Sequence, residues 1–213
     1  MLDYRKQQEW SNGFGHQQSP IGFLSATAQP EQLTTSLFEW SSPLAVTTVI
    51  DRETNFEATG TGNARLLQQP VTFQQLHFHA PAEHQIDGHQ AAMEWHFVFQ
   101  DALGQLSVVA CFAELGAANP LFEQLLTHFQ SRQTATLPQA LPVNSWLPQA
   151  GGVVRYLGSL TTPPLTEGVH WYLAATPLTV SVEQLQQYRE FFPQDNNRQL
   201  QDLNQRRLFK SVL

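Results

Sequence analysis

The feature that most limits how this chain can fold is the regular alternation of short β-favouring runs with turn signals. The runs are rich in Val, Phe, Leu, Thr and Trp and cover residues 45–50, 71–79, 93–99, 106–112 and 169–174. Turn-forming residues stand between them at Ser42-Pro43, 59–63, Asp87-Gly88, Gly151-Gly152 and Pro163-Pro164. Short strands at this spacing predict a mainly β protein built on a large, mostly antiparallel sheet.

Two helices interrupt this pattern. Asn119 is a good N-cap and is followed by proline, so a helix is expected over 121–129. Ser181 and Gln184 form a capping box for a second helix, from 182 to about 192. So few helices fit a sheet with short peripheral helices, not an alternating α/β fold. The 213 residues suit one domain, which we expect to span 1–213.

Charge and apolar content restrict the partners. The formal net charge of −7 argues against nucleic acid and against an anionic membrane surface. No run approaches 18 apolar residues, and the first residues lack the apolar stretch of a signal peptide. The single cysteine, Cys111, lies in an apolar run and is expected in the core. These observations predict a cytoplasmic protein with a small-molecule substrate, and they leave a homodimer open.

The most informative segment contains three histidines on two predicted strands. His77 and His79 are two residues apart and therefore share one face of a strand. Asp87-Gly88 is a strong hairpin signal. If it sets the register, His79 lies opposite His96 and His77 lies opposite Val98, although Pro81 can force a bulge. The three rings would then converge on one point.

Two other histidines in the same segment compete for this role. His84 is expected on the opposite face if the strand is regular, and His89 at the turn is expected in solvent. Three imidazoles leave one tetrahedral position open, as in catalytic zinc sites. Water in that position ionises near neutral pH. This chemistry suits hydration of carbon dioxide or hydrolysis of an ester, and the ligands alone do not decide between them.

The same segment and three distant motifs resemble those of the α-carbonic anhydrases. The zinc signature of that family is similar to Leu76-His77-Phe78-His79, Glu83-His84, Asp87-Gly88 and residues 94–98, which read Glu-Trp-His-Phe-Val. Its pocket motif resembles residues 158–165, Gly-Ser-Leu-Thr-Thr-Pro-Pro-Leu, followed by Trp171. Its terminal motifs resemble Gln18-Ser19-Pro20-Ile21 and Asn196-Asn197-Arg198. The resemblance implies that fold, Zn²⁺ as cofactor and reversible hydration of carbon dioxide to bicarbonate by zinc-bound hydroxide.

The resemblance also implies roles for residues around the metal. Thr161 would accept a hydrogen bond from the hydroxide and donate its own proton to Glu83, which as a carboxylate can only accept. Partners that orient the ligands are implied at Gln75 for His77, Glu94 for His96 and the Asn196 carbonyl for His79. His84 would be structural, bonded to Glu94 and Tyr156. An apolar wall for carbon dioxide is implied at Val98, Val108, Leu160 and Trp171, and Thr162 is implied as a further residue of the substrate pocket.

Two features depart from the family pattern. Thr54 stands where the most active members carry a proton-relaying histidine, and a threonine has no pKa near 7. Slow turnover limited by proton transfer is therefore expected, with His16 and Glu53 as candidates for another relay. The lone cysteine excludes the disulfide of many secreted bacterial members, which suggests an intracellular bacterial form. The alternatives are a non-catalytic binding module of the same family and an unrelated zinc hydrolase or esterase.

Overall fold

Short strands account for most of the regular structure. The computed structural model describes residues 2–33, 35–148 and 152–212. The strands are β1 (Gly22–Phe23), β2 (Gln29–Glu31), β3 (Phe38–Asp51), β4 (Phe56–Leu66), β5 (Gln69–His79), β6 (Gln85–Ile86), β7 (Met93–Gln100), β8 (Leu106–Leu115), β9 (Thr134–Pro142), β10 (Gly152–Ser159), β11 (Glu167–Ala174), β12 (Leu178–Val180) and β13 (Phe209–Val212). The α-helices are α1 (Pro120–His128) and α2 (Val182–Phe191), and 3₁₀-helices cover Tyr4–Glu9, Ser25–Thr27 and Asn144–Trp146. The mainly β class is confirmed.

One large sheet organises the molecule. Its strands follow the order β2-β13-β10-β11-β8-β7-β5-β4-β3-β9, and β12 pairs with β8 beside this path. Within the described ranges, seven of the ten strand pairs in this sheet are antiparallel and three are parallel. A separate parallel pair joins β1 to β6. The prediction of a large, mostly antiparallel sheet is therefore confirmed.

Both helices begin where the capping signals predict. The Asn119 side chain accepts a hydrogen bond from the Phe122 N–H at the start of α1. Ser181 and Gln184 form a reciprocal capping box at the start of α2. Phe122 of α1 and Tyr188 of α2 belong to the larger of two apolar clusters, so the helices pack on the sheet as expected. No helix in the described part of the chain is long and apolar enough to span a bilayer.

The alternation of side chains along the central strands separates the core from the histidines. On β5, Leu76 and Phe78 point into the larger apolar cluster. His77 and His79 therefore point to the other side of the strand. The smaller cluster includes Trp171, whose ring lies beside the site. Cys111 lies in the larger cluster and its Sγ donates to the Trp146 carbonyl at 3.2 Å, so its predicted core position is confirmed.

Two predicted turns lie inside strands instead. Ser42-Pro43 falls within β3 and residues 59–63 fall within β4, where the two strands pair through several register shifts. The reason is close approach, because a Cβ on Gly60 would lie 1.9 Å from the Ala45 carbonyl oxygen. Gly60 therefore allows the backbones of β3 and β4 to approach closely, and it does not reverse the chain direction. Asp87-Gly88 and Pro163-Pro164 are turns as predicted. Gly152 begins β10, and Gly151 lies outside the described residues.

The predicted register between the two histidine strands is wrong by two residues. His77 lies opposite His96, and His79 lies opposite Glu94. Asp87 and Gly88 do form the expected turn, with φ of 54° and 76°, and Ile86 does pair with His89. However, β5 ends at His79 and β6 pairs with β1 instead of extending the hairpin to β7. The turn therefore belongs to the segment that connects β5 to β7, and it does not set the register between these two strands.

Candidate metal centre

Three histidine rings meet where β5 and β7 lie side by side. His77 and His79 project from β5, and His96 projects from the facing position on β7. The ring centroids are 5.0 Å apart for His77 and His79, 5.0 Å for His77 and His96, and 4.6 Å for His79 and His96. His79 and His96 are buried and His77 is half-buried. The predicted clustering on one face is present, despite the altered register.

Each ring is oriented by an acceptor on its outer nitrogen. His77 Nδ1 donates to Gln75 Oε1 at 2.8 Å, and His79 Nδ1 donates to the Asn196 carbonyl at 2.7 Å. His96 Nε2 donates to Glu94 Oε1 at 2.7 Å. With the protons held there, the remaining nitrogens of all three rings carry lone pairs. The structure thus contains every ring contact that the resemblance implies for Gln75, Glu94 and Asn196.

The free nitrogens fit a tetrahedral metal ion. His79 Nε2 is buried and has no hydrogen-bond partner. His77 Nε2 and His96 Nδ1 lie 3.2 Å apart. Two imidazole nitrogens at Zn–N bonds of 2.0–2.1 Å would be about 3.3 Å apart in a tetrahedral site. The three rings can offer ligand atoms within 4.8 Å of one another, so the donor set suits Zn²⁺.

Electrostatics favour the neutral rings that a metal requires. Desolvation lowers the pKa of His77 well below its usual value, and positive charge on His79 and His96 would lower it further. Desolvation also lowers the pKa of His79, although the Glu83 carboxylate opposes this shift. Neutral imidazole is the form that binds a metal ion. The cluster is therefore prepared for a cation rather than for protons.

A second group of possible ligands is a hydrogen-bonded chain instead. His84, Glu94 and His96 lie close together, but His84 Nδ1 and His96 Nε2 both donate to Glu94 Oε1 at 2.7 Å. His84 Nε2 accepts from the Tyr156 hydroxyl at 2.7 Å, which uses its last nitrogen. Burial alone would raise the pKa of Glu94, yet its two histidine partners hold it well below its usual value.

The prediction that His84 lies on the opposite face of the strand from His77 and His79 is wrong, although its predicted contacts with Glu94 and Tyr156 are present. Its ring lies 6.5 Å from that of His96 and 4.8 Å from that of Trp171, on the same side of the sheet as the cluster. The argument failed because β5 ends at His79, so alternation does not extend to residue 84. His89 is exposed, as predicted, and its Nε2 lies 2.6 Å from Glu114 Oε1.

An apolar row borders the cluster. Val98 of β7 lies opposite Val108 of β8, and Val108 pairs in register with Trp171 of β11. All three are buried in the smaller apolar cluster, and Leu160 packs against it. The Trp171 ring lies 4.9 Å from the ring of His96. The four residues implied for the wall are therefore together in this cluster, and Thr162, the further pocket residue, is half-buried in the adjoining turn.

Comparisons with known proteins agree with this geometry. The sequence profile described as eukaryotic-type carbonic anhydrase matches residues 5–212. The chain belongs to this family. It is 40% identical over 151 residues to a carbonic anhydrase of Pectobacterium atrosepticum, covering 68% of this chain and 61% of that protein. A carbonic anhydrase of Klebsiella pneumoniae is 41% identical over 139 residues, 64% of this chain and 56% of that one. The chain thus spans about three fifths of the length of these curated relatives.

Solved structures of the family share the fold. The α-carbonic anhydrase of Thermovibrio ammonificans, in complex with the inhibitor sulfanilamide, superposes with a TM-score of 0.85 at 31% identity. That match covers 92% of this chain and 88% of the other. The α-carbonic anhydrase of Photobacterium profundum gives a TM-score of 0.82 at 31% identity, over 92% of this chain and 90% of the other.

One implied contact is absent in this carbonic anhydrase family member. Glu83 Oε1 accepts a hydrogen bond from the Arg198 N–H at 2.7 Å, and Glu83 Oε2 is buried with no partner. The predicted donation from Thr161 to Glu83 is therefore not formed among the described residues. Glu83 lies against His79 and the segment after α2, with Oε1 3.5 Å from His79 Nδ1, and this holds the carboxylate. Thr161 is buried at the start of the loop after β10.

Of the three residues at which proton relay is in question, Glu53 and Thr54 are adjacent and line the same cavity, whereas His16 does not line it. The Thr54 carbonyl accepts from Asn196 Nδ2 at 3.0 Å, which ties residue 54 to the same asparagine that orients His79. Glu53 lines a cavity with Thr54. His16 is exposed, and its carbonyl accepts from Asn204 at 3.2 Å. None of these three side chains forms a hydrogen bond or ion pair with the histidine cluster in the described part of the chain.

Sequence reasoning missed two residues that support the site. The backbone N–H of Arg198 donates a hydrogen bond to Glu83, which lies 115 residues earlier in the sequence. The Tyr188 hydroxyl donates to the Phe78 carbonyl at 2.9 Å and accepts from Asn196 Nδ2 at 3.2 Å. In the sequence, Arg198 stands out only as part of a terminal motif, and Tyr188 only as part of a predicted helix. No local pattern marks a backbone donor or a helical tyrosine as a partner of a distant strand.

Proposed function

We propose that this chain is a zinc-dependent carbonic anhydrase that interconverts carbon dioxide and bicarbonate. The observation that carries the proposal is the convergence of three unprotonated histidine nitrogens beside an apolar row. His79 Nε2 is buried without a partner, and His77 Nε2 lies 3.2 Å from His96 Nδ1. Family membership supports the same conclusion.

Three histidines leave a coordination position open, which distinguishes a catalytic zinc site from a structural one. Zn²⁺ held in this way supplies a water molecule whose pKa is lowered to about 7. His77, His79 and His96 would hold the ion. Gln75, Asn196 and Glu94 would hold the ring protons on the far side, so that the ligand nitrogens stay free.

The surroundings of the cluster suit a small uncharged substrate. Val98, Val108 and Trp171 form a continuous buried row across three neighbouring strands. Such a surface excludes water and offers carbon dioxide an apolar resting place next to the open coordination position. Bicarbonate, which is charged and strongly hydrated, would gain little from this row and leave readily.

Thr161 and Glu83 are proposed to orient the reacting water. Glu83 Oε2 is a buried acceptor without a donor, and a buried carboxylate oxygen in that state is costly. A hydroxyl donor next to the site would satisfy this oxygen, and Thr161 is buried in the adjoining loop. The contact is not formed in the present structure, so the proposal concerns the reacting state.

The absence of a relay histidine at position 54 is proposed to limit turnover. Thr54 cannot exchange protons near neutral pH, and its backbone carbonyl is bound to Asn196. Protons would then leave the site through water and external buffer. Hydration should therefore accelerate with imidazole buffer, and Thr54→His should reduce that dependence.

The decisive experiment is stopped-flow hydration of carbon dioxide by the zinc-loaded protein. Wild-type protein should hydrate carbon dioxide, His96→Ala should lose at least about 100-fold because a ligand is missing, and His89→Ala should keep full activity. His89 is the matched control because it is an exposed histidine in the segment that connects β5 to β7. Failure to bind zinc would refute the proposal and favour a binding module, and zinc binding with ester hydrolysis but no hydration would refute it and favour a zinc hydrolase or esterase. Turnover that is independent of buffer would refute only the proposed proton limitation.

A further inference from the structure

A cationic cavity lies at the junction of β2, β10 and β11 with the chain before β13. Its volume is about 340 Å³, within the usual range for small-molecule sites. Arg155, Arg206 and Arg207 line it, and Glu31 is its one lining carboxylate among the described residues. The whole chain has nine arginines and a net charge of −7, so three guanidinium groups around one cavity reverse the local sign of the charge.

The guanidinium of Arg155 is not fully satisfied. One of its terminal nitrogens pairs with Glu31 Oε2, but its Nε is buried and has no acceptor. A buried guanidinium N–H without an acceptor costs free energy. The Glu31 oxygen also accepts from the Ser211 hydroxyl at 3.2 Å, so Glu31 is shared. Arg155 also lines the cavity with its side chain 18% exposed, so its terminal N–H groups can donate to a further oxygen acceptor there.

The other two arginines contribute charge in different ways. Arg206 donates to the carbonyls of Leu203, Leu157, Gln18 and Asp202, which are all uncharged. Its positive charge, 5.4 Å from the centre of the Tyr156 ring, thus has no carboxylate bonded to it. Arg207 is exposed, and its side chain forms no hydrogen bond or ion pair within the described part of the chain. The Arg206 guanidinium is therefore held in place by its hydrogen bonds, whereas the exposed Arg207 side chain can move to contact a ligand.

We propose that this cavity binds a small oxyanion of the phosphate or carboxylate class. Its oxygens would accept from Arg155 and Arg207, and the fixed charge of Arg206 would contribute at short range. Charge-assisted bonds of this kind favour planar guanidinium donors over lysine. The proposed anion site does not include the histidine cluster, so a test of anion binding is independent of a test of carbon dioxide hydration.

The first test is calorimetric titration of the 213-residue chain, as purified and zinc-saturated, with inorganic phosphate and separately with succinate. Saturable binding of either anion is expected, and the tighter one identifies the class of ligand. Arg207→Gln should weaken binding about tenfold or more, because a charged hydrogen bond is lost. Arg65→Gln is the matched control, because Arg65 is also exposed but does not line the cavity, and it should change the affinity less than about twofold.

Two further measurements locate the anion. Glu31→Gln removes the competing carboxylate and should tighten binding several-fold, whereas Glu39→Gln, at an exposed position of β3 outside the cavity lining, should not. The Arg155 Nε–H cross-peak in a ¹H–¹⁵N spectrum, assigned with Arg155→Lys, should move on addition of the anion. No saturable binding, equal effects of Arg207→Gln and Arg65→Gln, or an unmoved Arg155 signal would each overturn the proposal.

Discussion

Single hydrogen bonds decide whether the histidine cluster can receive a metal ion. Glu94 is the clearest case, because its carboxylate accepts four N–H groups. Oε2 accepts from the backbone of Glu83 and His84, each at 2.8 Å, and Oε1 accepts from the rings of His84 and His96, each at 2.7 Å. Only a carboxylate can accept at both oxygens, since an amide presents a donor on one side.

Replacement of Glu94 by Gln should therefore damage both stability and metal binding. The amide NH₂ would face either two backbone N–H groups or two imidazole N–H groups in a buried place. We expect a loss of about 3–5 kcal/mol in the free energy of unfolding, as for a broken buried pair. Zinc affinity, measured by chelator competition, should fall about 10–100-fold.

Glu114→Gln provides the matched control, because Glu114 also lies 2.6 Å from a histidine nitrogen, but at the exposed pair with His89. It should change the free energy of unfolding by less than about 1 kcal/mol. Equal effects of the two substitutions would show that burial of the Glu94 network is unimportant.

At this scale the sequence predicts which residues gather but not all of their contacts. The spacing of His77 and His79 on a strand predicts a shared face, and the structure agrees. The resemblance to known motifs predicts Gln75, Glu94 and Asn196 as ring partners, and these contacts are present. The donation from Thr161 to Glu83 is absent, because a hydroxyl rotor and a carboxylate orientation depend on neighbours that no motif encodes.

At the scale of elements, helix boundaries follow from local chemistry. Both α-helices begin at the residues that their capping signals predict. The Ser181 side chain accepts from the Gln184 N–H at 3.2 Å, and the Gln184 side chain accepts from the Ser181 N–H at 3.2 Å. Capping interactions act within one turn of helix and depend little on distant residues, so the start of a helix can be predicted from the local sequence.

Ser181→Ala should therefore lower the free energy of unfolding by about 1 kcal/mol, because a backbone N–H loses its acceptor. Ser181→Gly should cost only a few tenths of a kcal/mol, because a glycine cap leaves that N–H open to water. Urea denaturation of the two variants beside wild type measures both values. If Gly is as destabilising as Ala, the capping box does not stabilise α2.

Strand pairing is harder to predict, since it depends on contacts outside the hairpin. The Asp87-Gly88 turn forms as expected, yet β5 and β7 pair two residues away from the register that it implies. The cause is β6, which pairs with β1 near the start of the chain. Similarly, Gly60 reads as a turn residue, but it lies within β4 where β3 passes too closely for a Cβ.

At the scale of the whole molecule, the cluster joins segments that are far apart in sequence. Its ligands come from β5 and β7, and the acceptor for His79 comes from Asn196, after α2. Tyr156 of β10 closes the far end of the Glu94 network through His84. A metal ion bound by three rings would thus hold the centre of the sheet in its native arrangement, and would bind the unfolded chain far more weakly.

Zinc should consequently raise the unfolding temperature of the 213-residue chain. At free zinc about 100 times the dissociation constant, the stabilisation is about 2.7 kcal/mol. In a protein of this size that corresponds to an increase of roughly 5–10 °C, measured by differential scanning calorimetry. Mg²⁺, which prefers oxygen ligands, should produce no comparable shift. His77→Ala should abolish the zinc effect and His16→Ala, at an exposed site, should retain it. An increase that survives His77→Ala would mean that zinc stabilises the fold from somewhere other than this cluster.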